Sequence, residues 1–479
     1  MSKVHFISLG CPKNRVDAEH MLGIALNEGH SLVDAPEDSD TIVVNTCSFI
    51  GEAKKESIEA ILRMGDIKKK SGQKLIVTGC LAQRYSEQLE SEMPEVDHFL
   101  GTSDFTQISK AFNSNSNSNF VPFSHLKKAP SLAVHQEEET SRNLVSHELR
   151  YLANYDLPRV NSMPKYTAYI KVSEGCDNAC AFCIIPKLRG KQRSRKIADI
   201  VKEAKNLAAS GVVEISLIAQ DLTAYGHDIE GRPTLAQLLE ALAQVPGIRW
   251  VRCMYAYPRS LSLELMQVLA SGKNTLPYLD MPVQHGSNKV LRRMRRGKGQ
   301  ERLTELLVSL RSQVPNLVMR STVMVGFPGE DESDFEKLLE FAEAIRFERM
   351  GVFKYSDEED TSAFEFDEKV PYQIKRARYD KLMRRQRKIH KAKLKSMVGE
   401  VHEAIVEGVS EEHALLVKGR LWSQAPDIDG FTYLSSSRPL SEGQIVHVRI
   451  QDAHEYDLVA EVLDEDDAMI KQSIPFEVR

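Results

Sequence analysis

Seven cysteines in 479 residues are too few to staple a chain of this length, so a disulfide framework is not what organises it. No apolar run reaches the ~18 residues that a membrane-spanning helix needs. Met1–Gly10 lacks the basic stretch and apolar core of a signal peptide. These absences predict a cytoplasmic protein whose thiols stay reduced and serve as metal ligands, reactive groups or core residues. The net charge of −5 is small and by itself points to no partner. An apolar fraction of 42% is enough for buried cores and excludes disorder throughout, and the length suggests about three domains.

The first hundred residues alternate short apolar runs with helix-like stretches. Val4–Gly10, Thr41–Thr46 and Lys74–Gly79 read as strands, with helices over Asp17–Asn27 and Lys54–Arg63 between them. This rhythm predicts a doubly wound parallel sheet over residues 1–112. Residues 113–119 alternate Asn and Ser, and the chain stays polar and poorly periodic to residue 161, as expected of a linker. A second α/β block follows over 162–393. Its candidate strands are Thr167–Val172, Val213–Ala219, Trp250–Ala256, Tyr278–Val283, Val318–Val325 and Val352–Tyr355, and helices such as Ile197–Ala209, Leu235–Gln244 and Asp334–Arg346 separate them. Six repeats fit an open, partial (β/α) barrel, although a doubly wound sheet gives the same rhythm. In both, the carboxyl ends of the strands build the site.

Charge then splits. Residues 374–397 carry eleven Lys/Arg against one acid, Asp380, and read as a basic helix. Residues 398–479 carry seventeen acids against six Lys/Arg. Short apolar runs at Glu403–Glu407, Ala414–Lys418 and Ile445–Ile450, with Asp429-Gly430 as a turn signal, predict a small antiparallel β-barrel over 394–467, with 468–479 as a tail.

Cys176, Cys180 and Cys183 form a CxxxCxxC loop just after a candidate strand. A tetrahedral zinc site wants a fourth ligand, and the flanking Gly175, Asp177, Asn178 and Phe182 supply no His or further Cys. Three thiolates on a four-iron cluster leave one iron open for a substrate or cofactor. A zinc loop completed from a distance is the alternative. Cys11, Cys47 and Cys80 are far apart in sequence, yet each follows directly on a candidate strand, so a parallel sheet would bring all three to one edge. Gly10 and Gly79 permit close backbone approach there. Three unrelated buried cysteines are the alternative. Cys253 lies inside an apolar strand and reads as core. The expectation is two iron–sulfur clusters on six of the seven cysteines.

At these residues the sequence resembles the radical S-adenosylmethionine (SAM) methylthiotransferases. Cys176–Pro186 (CDNACAFCIIP), followed by Arg189-Gly190 and Arg193-Ser194-Arg195, carries the resemblance, which extends over nearly the whole chain as an N-terminal three-cysteine domain, a radical SAM domain and a C-terminal TRAM-type domain. Three segments resemble the branch that modifies an aspartate β-carbon in the twelfth protein of the small ribosomal subunit, rather than the branch that modifies isopentenylated adenosine in tRNA. They are Ser8–Asn14 with its CPKN, Ile218–Asp221 with its AQD, and Gln424–Gly430.

The resemblance implies two [4Fe–4S] clusters, SAM bound through the open iron of the Cys176/Cys180/Cys183 cluster, and a 5′-deoxyadenosyl radical that takes hydrogen from the aspartate β-carbon. It also implies that the Cys11/Cys47/Cys80 cluster presents an already methylated sulfur, and that an electron donor such as a flavodoxin-like protein or a ferredoxin is needed. The two strand edges should therefore face each other. Phe182, Arg195, Gln220, Asp221, Gly326 and Gly329 are candidate SAM contacts. Turn or cap roles compete for Gln220, Asp221 and the two glycines. His285 reads as structural.

The acidic C-terminal segment suits a basic ribosomal protein better than an RNA backbone. The basic helix over 374–397 suits ribosomal RNA or an internal pairing with the acidic segment. Methylthiolation of tRNA and a zinc-stabilised RNA-binding module without catalysis are the competing functions.

Overall fold

A computed structural model describes residues 2–113, 142–258, 261–297, 299–410 and 416–464. Most of the asparagine/serine tract, part of the Ala414–Lys418 run and the 468–479 tail lie outside these residues.

The N-terminal unit has five strands, β1 (Lys3–Ser8), β2 (Ser31–Leu32), β3 (Thr41–Thr46), β4 (Lys74–Gly79) and β5 (His98–Leu100), all parallel in the order β2-β1-β3-β4-β5. Alternation along the strands builds two cores. Val4, Val43 and Ile76 pack on helices α1 (Pro12–Asn27) and α4 (Ile108–Asn113), while Ile42, Val44, Leu75 and Val77 pack on α2 (Gly51–Ser71) and α3 (Cys80–Glu92). The unit is doubly wound as expected, with its switch point between β1 and β3. Helix α1 starts at Pro12, earlier than the apolar pattern suggests, because proline's fixed φ suits the first helical turn.

Six strands form the central sheet: β6 (Thr167–Lys171), β9 (Glu214–Ile218), β10 (Trp250–Cys253), β11 (Thr275–Asp280), β12 (Val318–Val325) and β13 (Arg349–Lys354). They are parallel and adjacent in chain order, which makes a partial barrel with no order reversal. A small ribbon of β7 (Ser173–Glu174) and β8 (Arg193–Ser194) stands at the end of β6. Among the described residues eight α-helices belong to this unit: α5 (Ile185–Arg189), α6 (Ile197–Ala209), α7 (Leu235–Leu242), α8 (Leu263–Ala270), α9 (Asn288–Arg293), α10 (Gln300–Gln313), α11 (Glu332–Ile345) and α12 (Tyr372–Ser396). One apolar core joins the strands to α6, α7, α8, α10 and α11. The opposite strand face carries Lys171, Glu214, Arg252, Asp280 and Arg320, so the concave side of the sheet is charged.

β14 (Val401–Val409), β15 (Val417–Leu421), β16 (Thr432–Ser435), β17 (Ile445–Ala453) and β18 (Leu458–Val462) close a barrel in the order β14-β15-β16-β18-β17. The small antiparallel β-barrel is present, with four antiparallel pairings and one parallel pairing, β16 with β18. A closed ring of five strands cannot alternate direction all the way round, so at least one neighbouring pair must be parallel. Asp429-Gly430 lies in the loop before β16 rather than in a two-residue hairpin turn.

Residues 142–161 bind their neighbours closely. Phe99 N donates to Arg142 O at 2.9 Å and Leu144 N to Phe99 O at 3.0 Å, beside β5. Arg159 joins Glu19 of α1 (2.6 Å) to Glu203 of α6 and also donates to Tyr169 O. Among the described residues no helix is long and apolar enough to cross a membrane.

Candidate functional site

Parallel pairing brings the ends of β1, β3 and β4 level: Ser8 lies beside Asn45, and Thr46 beside Gly79. Cys11 follows as the N-cap of α1, Cys47 directly after β3, and Cys80 as the first residue of α3. Gly10 and Gly79 both hold positive φ, at +90° and +97°. A Cβ on Gly10 would lie 2.7 Å from that of Cys47, and one on Gly79 would lie 2.6 Å from Thr46 O, so no larger residue fits either turn. Asn14 ties the ends of β1 and β3 together. Its amide donates to Leu9 O (3.1 Å) and Thr46 O (2.8 Å), and its backbone carbonyl accepts from Asn45 (2.7 Å).

The second thiol group hangs from the β7–β8 ribbon. Gly175 (φ +82°) turns the chain into the loop and Cys176 N donates to Gly190 O at 3.0 Å. Ala181 N donates to Met294 O at 3.0 Å, which fixes the loop against α9. Asn178 donates to Asp221 at 2.6 Å and contacts Cys176 Sγ at 3.4 Å, while Arg296 reaches Cys180 Sγ at 3.4 Å.

Both groups open on one cavity of about 540 Å³, lined by all six cysteines. Its seam is pinned by Arg189, which donates to Asp17 (2.7 Å), Glu174 (3.2 Å) and Asn14 (2.6 Å) and contacts Cys80 Sγ at 3.5 Å. Lys171 joins Glu174 (2.6 Å) and Asp17 in the same buried network. These two cations outweigh the burial cost on Glu174 and hold its carboxyl down to about 2. Burial pushes the Cys47 and Cys183 thiols up to about 12, and raises Cys80 and Cys176. These thiols stay protonated until a cationic centre displaces the proton.

Among the described residues no three His, Cys, Asp or Glu side chains close on the position of a single metal ion. The sulfurs instead line the wall of a space much larger than one ion. Soft thiolate donors in sets of three, beside the cations of Arg189 and Arg296 and with no carboxylate in the lining, fit anionic iron–sulfur cores. Cys253 is buried in the apolar core of the central sheet.

Of the six candidate SAM contacts, Phe182 and Gln220 line the cavity. Phe182 meets Phe327 edge-on at 6.5 Å, and Gln220 donates to Glu174 at 2.6 Å. The other four stand elsewhere. Arg195 pairs with Asp199 and Glu203, at 2.6 Å each, and donates to Lys171 O, with Nη2 left unpartnered. Asp221 caps the short turn Leu222–Ala224 and orients Asn178. Gly326 and Gly329, both at positive φ, face the side chains of Lys375, Glu368 and Arg293. Glu330 holds their loop by accepting from Gly326 N (2.6 Å) and Phe327 N (3.1 Å). His285 is buried and accepts from Ser287 N at 3.0 Å, a structural position.

The sequence reading did not select Lys13, Asn178, Arg189, Tyr255, Tyr257, Gln284 or Arg296, all of which line the cavity. Tyr255 and Gln284 follow β10 and β11 in left-handed backbone, at φ +65° and +73°. Their position at strand ends was a usable signal. The strain was not, because it exists only in the folded chain.

A partial (β/α) barrel with CxxxCxxC beyond its first strand, facing a second thiol triplet on a doubly wound sheet, defines a radical SAM enzyme with an auxiliary cysteine-bearing domain. Family models agree in sequence order: the Uncharacterized protein family UPF0004 over residues 3–101, the Radical SAM superfamily over 170–342 and a TRAM domain over 398–463. The superfamily implies SAM and one [4Fe–4S] cluster. In solved structures, the radical SAM methyltransferase TsrM from Kitasatospora setae shares the fold at 15% identity and a TM-score of 0.51, over 74% of this chain and 75% of that one.

Among curated relatives, "Ribosomal protein uS12 methylthiotransferase RimO" of Myxococcus xanthus is 51% identical over 97% of this chain and 92% of its own length. The proteins of the same name from Anaeromyxobacter sp. (strain K) and Clostridioides difficile are 47% and 44% identical, over 99% and 97% of this chain and 96% and 99% of their own lengths. The chain belongs to the ribosomal protein uS12 methylthiotransferase RimO family.

Proposed function

We propose that this enzyme replaces a hydrogen on the β-carbon of an aspartate of ribosomal protein uS12 with a methylthio group. The observation that carries the reading is the shared cavity, in which Cys11, Cys47 and Cys80 face Cys176, Cys180 and Cys183 in a chain of this family. Cys176, Cys180 and Cys183 hold one [4Fe–4S] cluster with its open iron for SAM, and Cys11, Cys47 and Cys80 hold a second. When bound, these groups supply one-electron cleavage of SAM to take the hydrogen and a sulfur methylated by another SAM, with the electron coming from a flavodoxin-like protein or a ferredoxin.

The chain's own residues position and enclose the reactants. Phe182, braced by Phe327, offers an aromatic face for the adenine. Glu174 fixes the orientation of Gln220 toward the bound SAM. Asn178 and Arg296 steady the thiolates of Cys176 and Cys180. Arg195, Asp221, Gly326 and Gly329 stand outside the cavity lining, where Asp221 orients Asn178 and Glu330 holds the glycine loop. Phe49 and Phe353 line the cavity and are nearly half exposed, so they form an apolar rim that a protein substrate would cover, excluding water.

The basic helix supports a contact to ribosomal RNA. Lys381, Arg384, Lys388, Lys391 and Lys395 fall at alternating steps of three and four along α12, on one exposed face, and none makes an ion pair among the described residues. Arg387 instead pairs with Glu455 of the barrel, at 2.6 Å. Acids of the barrel are partly spent on pairs of its own, Glu403–Arg249 to the central unit and Glu407–Arg420 within the barrel, so its acidity serves the fold as well as any partner. A ribosomal substrate supports a cytoplasmic location.

The test is mass spectrometry of uS12 and of tRNA nucleosides from cells with and without the gene. Loss of a methylthio mass (about 46 Da) from a uS12 aspartate upholds the reading. An unchanged uS12 together with a changed tRNA nucleoside overturns it.

A further inference from the structure

Lys13 stands in the first turn of α1, two residues after Cys11, and is 7% exposed. Its Nζ lies 3.1 Å from the centroid of the Tyr255 ring, and it lines the same cavity as the six cysteines. Among the described residues no hydrogen bond or ion pair reaches this ammonium. Asp280 gives one oxygen to Arg320 at 2.9 Å, and its other oxygen, although unpartnered, does not reach Lys13. Glu174 is held by Lys171 and Arg189. The other two cations of the lining are engaged: Arg189 by Asp17, Glu174 and Asn14, and Arg296 by Pro282 O, Cys180 Sγ and the Tyr257 ring. No residue of the lining is acidic.

A ring face attracts an ammonium but takes up none of its directional N–H capacity. Cys11, Asp280 and Glu174 act on this ammonium through space, but none accepts a hydrogen bond from it, so its N–H groups are left for an acceptor that enters the cavity. From this we infer that Lys13 anchors the side-chain carboxylate of the substrate aspartate and sets the enzyme's preference for an acidic residue, an inference that rests on the proposed reaction. The carboxyl carbon of aspartate is bonded directly to the β-carbon. Holding the carboxylate at Lys13 thus fixes the carbon to be modified beside the Cys11, Cys47 and Cys80 side of the cavity. Charge-assisted hydrogen bonds of this kind distinguish a carboxylate from the amide of the same shape.

The test compares purified uS12 with a variant in which the aspartate found modified by mass spectrometry is replaced by Asn. Binding of each to anaerobic holoenzyme is measured for the wild type, Lys13→Met and Lys13→Arg, with iron counted on every sample. The expected wild-type preference for Asp over Asn is about tenfold or more; Lys13→Arg retains most of it and Lys13→Met abolishes it. A Lys13→Met enzyme that keeps the preference overturns the inference. So does one that merely loses iron while its loaded fraction still prefers Asp. If the wild type fails to methylthiolate uS12, the proposed function falls and this inference with it. Methylthiolation with a preference independent of Lys13 overturns the inference alone.

Discussion

Arg189 Nη1 donates to Asp17 Oδ2 at 2.7 Å across the seam between the two cysteine-bearing domains. Both side chains are buried, and Arg189 also contacts the Cys80 sulfur. Arg189→Ala therefore strands Asp17 and Glu174 beside Lys171 as their remaining cation. The expected loss of stability is about 3–5 kcal/mol, the usual cost of removing one partner of a buried pair. Thermal unfolding reads the loss, and hydrogen exchange in α1 and α5 shows whether the seam has opened.

The barrel is fastened by a similar arrangement at the opposite end of the central sheet. Glu214 bonds Arg252 (2.9 Å) of its own sheet and Arg420 (2.6 Å) of the barrel, and all three are fully buried. Tyr278 donates to Asp429 at 2.8 Å and Arg15 pairs with Asp427 at 3.2 Å, so the segment Gln424–Gly430 is a docking loop. Glu214→Ala leaves two buried guanidiniums without that partner, at a cost of about 3–5 kcal/mol. Limited proteolysis should then release residues 398–464 as a fragment. An uncut, equally stable variant would contradict this account of the docking.

The two thiol groups separate by mutation. Gly10→Ala would place its Cβ 3.0 Å from Cys47 Sγ and force a strained φ. Iron content should fall by about half, from roughly eight atoms per chain to four, with SAM cleavage retained. Cys47→Ala should likewise spare cleavage and stop sulfur insertion, whereas Cys180→Ala should stop cleavage itself. Anaerobic iron and sulfide assays, with chromatography of 5′-deoxyadenosine, give the answer. Normal methylthiolation by Cys47→Ala would refute the assigned division of labour.

Stability should fall between pH 7 and pH 5 through histidines. Burial and the nearby Arg159 hold His20 down to about 3, and burial holds His98 and His390 down to about 4. In the unfolded chain each takes a proton near pH 6.5, so the unfolded state binds more protons below that value and stability drops as pH falls. Glu174 and Glu214, both held down to about 2, contribute little slope until the pH approaches the ordinary carboxylate value. For His20 alone the expected loss by pH 5 is about 2 kcal/mol. His20→Gln keeps a donor toward Pro158 O and should flatten the urea-unfolding difference between pH 7 and pH 5 by that amount.

Strand ends were the most legible part of the site. β3, β4 and β12 have the bounds that their apolar runs indicate, and Cys11, Cys47 and Cys80 meet because adjacent parallel strands end level. Helix α3 was missed because its start coincides with the cysteine that ends the β4 run. Arg195 lies beside the cysteine loop in sequence, while in space it pairs with Asp199 and Glu203 of α6, which the sequence does not show. Residues 142–161 look like plain linker because their partners, Glu19 and Glu203 among them, belong to other elements rather than to a repeat of their own.

By itself the sequence determined the three-unit order, the parallel sheets and the two thiol triplets, since these follow from local apolar period and spacing. Only the tertiary structure decided that the triplets share one cavity, that the central sheet is a partial barrel, and that the five-stranded barrel needs a parallel pair. It alone separated cavity residues such as Lys13 and Arg296 from frame residues such as Arg195 and Asp221. The reason is that a side chain's chemistry depends on which partners reach it, and charged groups far apart in the chain compete for one another only once folding has brought them into contact.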